Sequence, residues 1–200
     1  MIFTIVLRYV RLSMFWLTLL YIPMFSIAAN YPEYEYEQSY KILKTQYPWL
    51  TLPFYYKICL MAPYYKLDPA LCCSLIHSES YHRIYRPILK QMKWAVSKSG
   101  AMSYWQVMPV HYPKDPKALL RDTTLNFHKG MGYLRKCISF SKGDLRESLR
   151  RYNQGIHGRR NKYLGWNTYV KPILRRYTYS LSMINKPKPE SGPVVFAAVN

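Results

Sequence analysis

A chain of 200 residues, half of them apolar or aromatic, holds enough material for one compact domain with tails. Its 14 prolines and 8 glycines are scattered and no segment repeats, which excludes repeat and solenoid architectures. A net charge of +19, from 29 basic and 10 acidic residues, points to a polyanionic partner or to a merely solvated basic surface.

Residues 1–29 read as a targeting segment. Arg8 and Arg11 are its only charges, the chain from Leu12 to Ala29 is uncharged and mostly apolar, and small residues follow at Ser26, Ala28 and Ala29. The apolar run is near the lower limit for a membrane span, so a cleaved signal peptide and a retained N-terminal anchor both fit. Either way an exported protein of the periplasm or cell envelope is expected, touching membrane only through that segment if it is uncleaved. Export and the lack of any recognised binding motif argue against nucleic acid as the partner.

Residues 30–50 are expected to form a helical extension, since Tyr36, Tyr40, Leu43 and Tyr47 recur on one helical face. A second helix is expected to begin near Pro53, run through Ile58 and end around Pro63. The third has the clearest start, with Asp68 as N-cap and Pro69 in the first turn. Leu71, Cys72, Leu75 and Ile76 then form an apolar stripe on which Glu79 also falls. Desolvation on that stripe and the negative end of the helix dipole both favour the protonated carboxyl, as a general acid requires.

Asp122 is a cap candidate for a helix with the apolar face Phe127, Met131, Leu134 and Ile138, in which Gly130 and Gly132 permit close approach of a neighbour. Asp144 and Glu147 resemble a capping box ahead of Leu145, Leu149 and Tyr152. A final helix carries Trp166, Tyr169, Val170, Ile173, Leu174 and Tyr177, and the proline-rich tail, residues 181–200, is expected to be disordered. No segment alternates over enough residues to demand a sheet, so the fold class is mainly α. The domain proper is placed at residues 51–180. Cys59, Cys72, Cys73 and Cys137 match no zinc or redox spacing and are either small core residues or contribute one disulfide. The five histidines form no spaced metal set, and neither a metal nor another cofactor is expected.

Three segments carry the chemistry. They are Ala70 to Ser80, which ends on Glu79-Ser80; Ser97 to Pro109, which contains Gly100-Ala101 and Gln106-Val107-Met108-Pro109; and Tyr152-Asn153-Gln154-Gly155. In this order and spacing they resemble the catalytic domain of the soluble lytic transglycosylase family, relatives of goose-type lysozyme. The resemblance extends over roughly Phe54 to Tyr177, including Asn126 to Leu134 and Thr168-Tyr169-Val170.

It implies a lysozyme-like helical domain with little or no β-sheet, acting on peptidoglycan glycan strands at the MurNAc–GlcNAc β-1,4 bond. Glu79 would protonate the glycosidic oxygen and then, as a carboxylate, take the proton of the muramic acid 6-hydroxyl, giving a 1,6-anhydro end. Ser97 matches the serine that orients the sugar N-acetyl group, and Gln106 and Met108 match groove residues. Ser80 completes the Glu-Ser pair, Tyr152 and Asn153 match the segment beneath the acid, and Tyr169 matches an aromatic near it. Two carboxyl groups are usual for glycosidases, but Asp68, Asp122, Asp144 and Glu147 read as helix caps, which leaves Asp115 as the one loose candidate.

The chain departs from the family at Ser103, where the family has glycine, at Tyr104 and Trp105, which replace leucine and methionine, and in a basic insertion over residues 81–96. These departures support an alternative: a catalytically weakened wall-binding scaffold of the same fold. The domain's small size suits local wall opening, with envelope or secretion-apparatus proteins as candidate partners.

Overall fold

The computed structural model describes residues 33–80, 89–111, 114–157 and 165–185. The targeting segment, the first half of the basic insertion and the tail beyond Asn185 lie outside the described residues. The chain divides into two compact units, residues 1–38 and 39–200. Of the first, only the opening of helix α1 (Glu33–Gln46) is described; the second holds the remaining helices.

The described residues are helical, with no strand among them. After α1 come α2 (Leu52–Met61), α3 (Pro69–Ser80), the short α4 (Leu89–Lys93) and α5 (Ala118–Arg121), then α6 (Thr123–Phe140), α7 (Leu145–Gln154) and α8 (Lys171–Ile184). Isolated antiparallel bridges, Val96 with Met102 and Met102 with Val107, are the nearest approach to a sheet. This is the mainly α, lysozyme-like domain expected from the sequence.

The starts of three helices follow the local chemistry expected of them. The Asp68 carboxylate accepts from Ala70 N at 2.7 Å, the Asp122 carboxylate from Leu125 N at 3.0 Å, and the Asp144 carboxylate from Arg146 N at 2.9 Å and Glu147 N at 3.2 Å. Each satisfies amide groups that have no partner within the helix. Pro53 lies in the first turn of α2 as expected, although Thr51 before it makes no side-chain cap.

Three expectations need correction. Helix α3 is not one apolar stripe. Every side chain from Ala70 to His77 is buried, as are Glu79 and Ser80, so it is the central helix of the domain. Its polar side chains stay inside because distant partners meet them: Ser74 Oγ lies 2.8 Å from Tyr47 Oη, and His77 Nδ1 accepts from Trp49 Nε1 at 3.1 Å. The final helix does not begin at Trp166 either. Trp166–Val170 is a π-helical turn, and α8 starts after it.

Helix α3 packs on α8, and α6 packs on α7. Phe54 of α2 joins the layers through edge-on contacts with Trp49 at 5.8 Å, Tyr104 at 4.8 Å and Phe127 at 5.2 Å between ring centroids. Trp105 is completely buried against α6 at Gly130, where a Cβ would lie 2.2 Å from the indole, so only glycine lets the ring in. On α6 it is Cys137, rather than Ile138, that completes the buried face. All four cysteines are free and buried, and burial pushes the Cys59 and Cys137 thiols up to about 12.

Candidate active site

Glu79 lies in the last turn of the buried α3 with 5% of its surface exposed. Tyr169 Oη donates a hydrogen bond to its Oε1. The tyrosine reaches the carboxyl from the π-helical turn, in which the amides of both Tyr169 and Val170 donate to Gly165 O, at 2.8 and 2.9 Å. Gly165 opens that turn at φ +79°, and a Cβ there would lie 3.0 Å from Asn153 Nδ2. Arg146 of α7 sits over the Trp166 ring, 4.5 Å from its centroid. The turn that aims Tyr169 is therefore held against α7 on two sides.

The residue beside the acid anchors a second wall. Ser80 Oγ donates to Tyr104 O at 2.7 Å and Ser103 O at 3.1 Å. Tyr152 Oη donates to Trp105 O at 2.8 Å, and the Asn126 amide accepts from Trp105 N at 3.3 Å and donates to Met102 O at 3.2 Å. These side chains clamp the 102–105 backbone onto α3, α6 and α7. Burial raises the Tyr152 phenol well above its usual range, and the nearby Glu79 charge adds to the effect. The phenol stays protonated and keeps donating to Trp105.

Gln106, Met108, Tyr152 and Asn153 line one cavity of about 490 Å³. Gln106 is largely buried, and its Nε2 donates to Ser103 O at 2.8 Å and Ala95 O at 3.3 Å, so its described bonds brace the loop. Met108 is exposed at the rim. Ser97 is the predicted residue whose described bonds stay local: its Oγ accepts from Ala101 N at 2.9 Å and lies 3.0 Å from Ser99 Oγ. Lys136 and Tyr133, one turn apart on α6, and His157 line the same cavity and were not singled out from the sequence. Their i, i+3 spacing on the side of α6 that faces α7 was the available signal.

The sequence profile of the transglycosylase SLT domain matches residues 63–168, more than half of the chain, and takes in Glu79, the clamped loop and the Tyr-Asn-x-Gly segment. The chain belongs to this family. No curated protein and no solved structure matches it. An SLT domain implies transglycosylase activity on peptidoglycan, and the match ends one residue short of Tyr169.

Apart from Glu79, the described acidic side chains of this SLT domain hold caps or ion pairs. Asp115, the loose candidate for a second carboxylate, accepts from Ala118 N at 3.2 Å and pairs with Arg121. The capping-box expectation for Glu147 is corrected as well. Its carboxylate grips the Arg150 guanidinium at 2.6 and 2.7 Å and reaches Arg151 at 3.0 Å. Ser103 holds φ +64° with its side chain completely buried, and its Oγ has no hydrogen-bond partner. Among the described residues no helix is long and apolar enough to cross a membrane.

Proposed function

We propose that this SLT domain is a peptidoglycan lytic transglycosylase cutting the MurNAc–GlcNAc β-1,4 bond, with Glu79 as its sole acid and base. Glu79 gives its proton to the glycosidic oxygen as the bond to the anomeric carbon breaks. The resulting carboxylate then takes the proton of the muramic acid 6-hydroxyl, whose oxygen closes on the anomeric carbon. The product is a 1,6-anhydro end, and the carboxyl returns protonated.

The observation that carries this reading is the Glu79 carboxyl itself: buried at the end of the central helix and hydrogen-bonded by Tyr169. Burial keeps bulk water from the carboxyl, and the phenol's hydrogen bond fixes its position between the two transfers. In this reading Met108, Tyr152 and Asn153 line the groove, Ser80 and Gln106 hold its wall through their bonds to the 95–104 backbone, and Ser97 serves as the sugar N-acetyl contact. The enzyme works outside the cytoplasm, in the periplasm or cell envelope, with residues 51–180 as its catalytic part.

The test is digestion of purified sacculi by the wild type and by Glu79→Gln, with products analysed by mass. Anhydro-muropeptides from the wild type alone are expected; reducing ends from the wild type would make the domain a hydrolase instead. A second reading, the catalytically weakened wall-binding scaffold, draws on the strained Ser103, and absence of products from both proteins would favour it.

A further inference from the structure

A second, larger cavity borders the turn that carries Tyr169 at Asn167. Its volume is about 1010 Å³, and it runs along α8 from Asn167 towards Gln46 at the end of α1. Lys171, Arg175 and Arg176 line it, together with Pro172 and Tyr179, and no acidic side chain does so among the described residues. Lys171 and Arg175 fall one helical turn apart and are exposed. Arg176 is partly buried, and its Nη1 donates to Ser78 Oγ at 3.0 Å, one residue before Glu79. The cationic wall is thereby tied to the segment that carries the acid.

We propose that this cavity is a subsite for the free carboxylates of the peptide stems borne by muramic acid. The proposal rests on the reading of Glu79 as the acid acting beside that sugar. Three properties select this ligand. The cavity is at the upper end of the roughly 300–1,000 Å³ range of ligand sites, more than a lone anion fills and enough for a short peptide. Its charge is of one sign, and a guanidinium takes a carboxylate through two parallel hydrogen bonds. Its described lining also offers Pro172 and Tyr179 for apolar contact and Asn167, Thr178 and Ser182 for hydrogen bonds, a mixture that suits a peptide better than a bare polyanion. Burial lowers the pKa of Arg176, and a bound carboxylate would reverse that shift. On this proposal the stem of a muramic acid held at Glu79 reaches the wall tied to Ser78, and the site selects the strand by its peptide as well as its sugar.

The test measures binding, so that it does not depend on turnover. Fluorescently labelled glycan strands with intact stems, with stems whose carboxylates are converted to amides, and with stems removed are titrated into Glu79→Gln protein. Phosphatidylglycerol vesicles are titrated alongside. The same titrations are run with Lys171→Ala/Arg175→Ala added, and with Lys41→Ala/Lys117→Ala added as a control for lost surface charge. Intact stems should bind roughly tenfold more tightly than amidated or stripped ones, about the effect of one charge-assisted hydrogen bond. The Lys171/Arg175 pair of changes should erase that preference without altering affinity for stripped strands, and the control pair should preserve it. Equal weakening on all strands, or no change, would overturn the proposal, as would a loss of binding confined to the vesicles. Failure of the Glu79 reading would show separately, as absence of anhydro products from the wild type while the binding preference persists.

Discussion

Replacing Ser103 with glycine should make this protein more stable, even though the substitution deletes a buried side chain. The serine backbone sits at φ +64°, in the left-handed region that costs an L-residue about 1–2 kcal/mol. It has no freedom to relax. Its amide donates to Ala95 O at 2.8 Å, and its carbonyl accepts from Ser80 Oγ, Gln106 Nε2 and Gln106 N. The buried hydroxyl without a partner adds a desolvation cost of about 1–3 kcal/mol. Against these stands the greater freedom of glycine in the unfolded chain, about 0.5–1 kcal/mol. The balance favours Ser103→Gly by about 2 kcal/mol, or roughly 4–8 °C in the midpoint of thermal unfolding for a chain of this size. Ser103→Ala separates the two contributions, because it removes the hydroxyl and keeps the strain; more than half the gain is expected. Urea titrations of the three proteins followed by far-ultraviolet circular dichroism measure both steps. A glycine variant no more stable than wild type would refute the account of strain at this position, and an alanine variant equal to glycine would assign the whole cost to the hydroxyl.

Other substitutions test the site and its supports. Tyr169→Phe removes the hydrogen bond to Glu79 and should lower the rate of anhydro-end release from sacculi by about tenfold to a hundredfold with the fold intact; an unchanged rate would take Tyr169 out of the mechanism. Gly130→Ala places a Cβ 2.2 Å from the buried Trp105 ring, and a loss of about 1–3 kcal/mol or more is expected in the same urea assay. In alkaline solution the Cys59 thiol, held at about 12 in the folded chain against 9.0 for an ordinary thiol, stays protonated while the unfolded chain ionises. Its contribution is fully present below pH 9 and fades by about 1.4 kcal/mol per pH unit between 9 and 12. Cys59→Ala should flatten the stability-against-pH curve in that window, measured under reducing conditions, and an unaltered slope would count against the shift.

The parts of this fold that could be read from the chain are those decided within a few residues. Asp68, Asp122 and Asp144 cap the helices that follow them because a carboxylate two or three residues ahead of free amides needs no tertiary partner. The all-round burial of α3 was hidden for the opposite reason. Ser74 and His77 look like a solvent face until Tyr47 and Trp49, which lie 27 and 28 residues earlier, supply their hydrogen bonds. The π-helical turn was equally invisible. Trp166, Tyr169, Val170 and Ile173 fit a regular helical face, and five residues are too few for periodicity to tell the wider turn from an α-helix. Its consequence is large, because that wider turn carries the hydroxyl that meets Glu79. Of the site, the segments were legible through resemblance, while the local bonds of Ser97 and the cavity positions of Tyr133, Lys136 and His157 depend on packing.

The disposition of acidic side chains bears most directly on the choice between an anhydro product and a hydrolysed one. In the second unit every described acidic side chain except Glu79 is committed to holding the fold. Asp68, Asp122 and Asp144 cap helices, Asp115 pairs with Arg121, and Glu147 binds Arg150 and Arg151. An inverting hydrolase needs a second carboxylate about 6.5–9.5 Å from the acid to activate water, and a retaining one needs a nucleophile at about 5–5.5 Å. Drafting any of these acids would break a cap or leave an arginine without its carboxylate. Arg150 is 5% exposed, and stripping it of Glu147 would leave its guanidinium only the hydrogen bond to Gln154 among its described partners. What the structure sets against Glu79 instead is a phenol, Tyr169, which donates a hydrogen bond and offers no carboxylate to the sugar or to water. A single carboxyl can complete the proposed reaction, since the proton it gives up in the first transfer is returned by the attacking muramic acid 6-hydroxyl in the second. Asp115→Asn discriminates between the alternatives: anhydro products at an undiminished rate support intramolecular attack, whereas loss of all turnover with the fold retained would make Asp115 the missing second carboxylate.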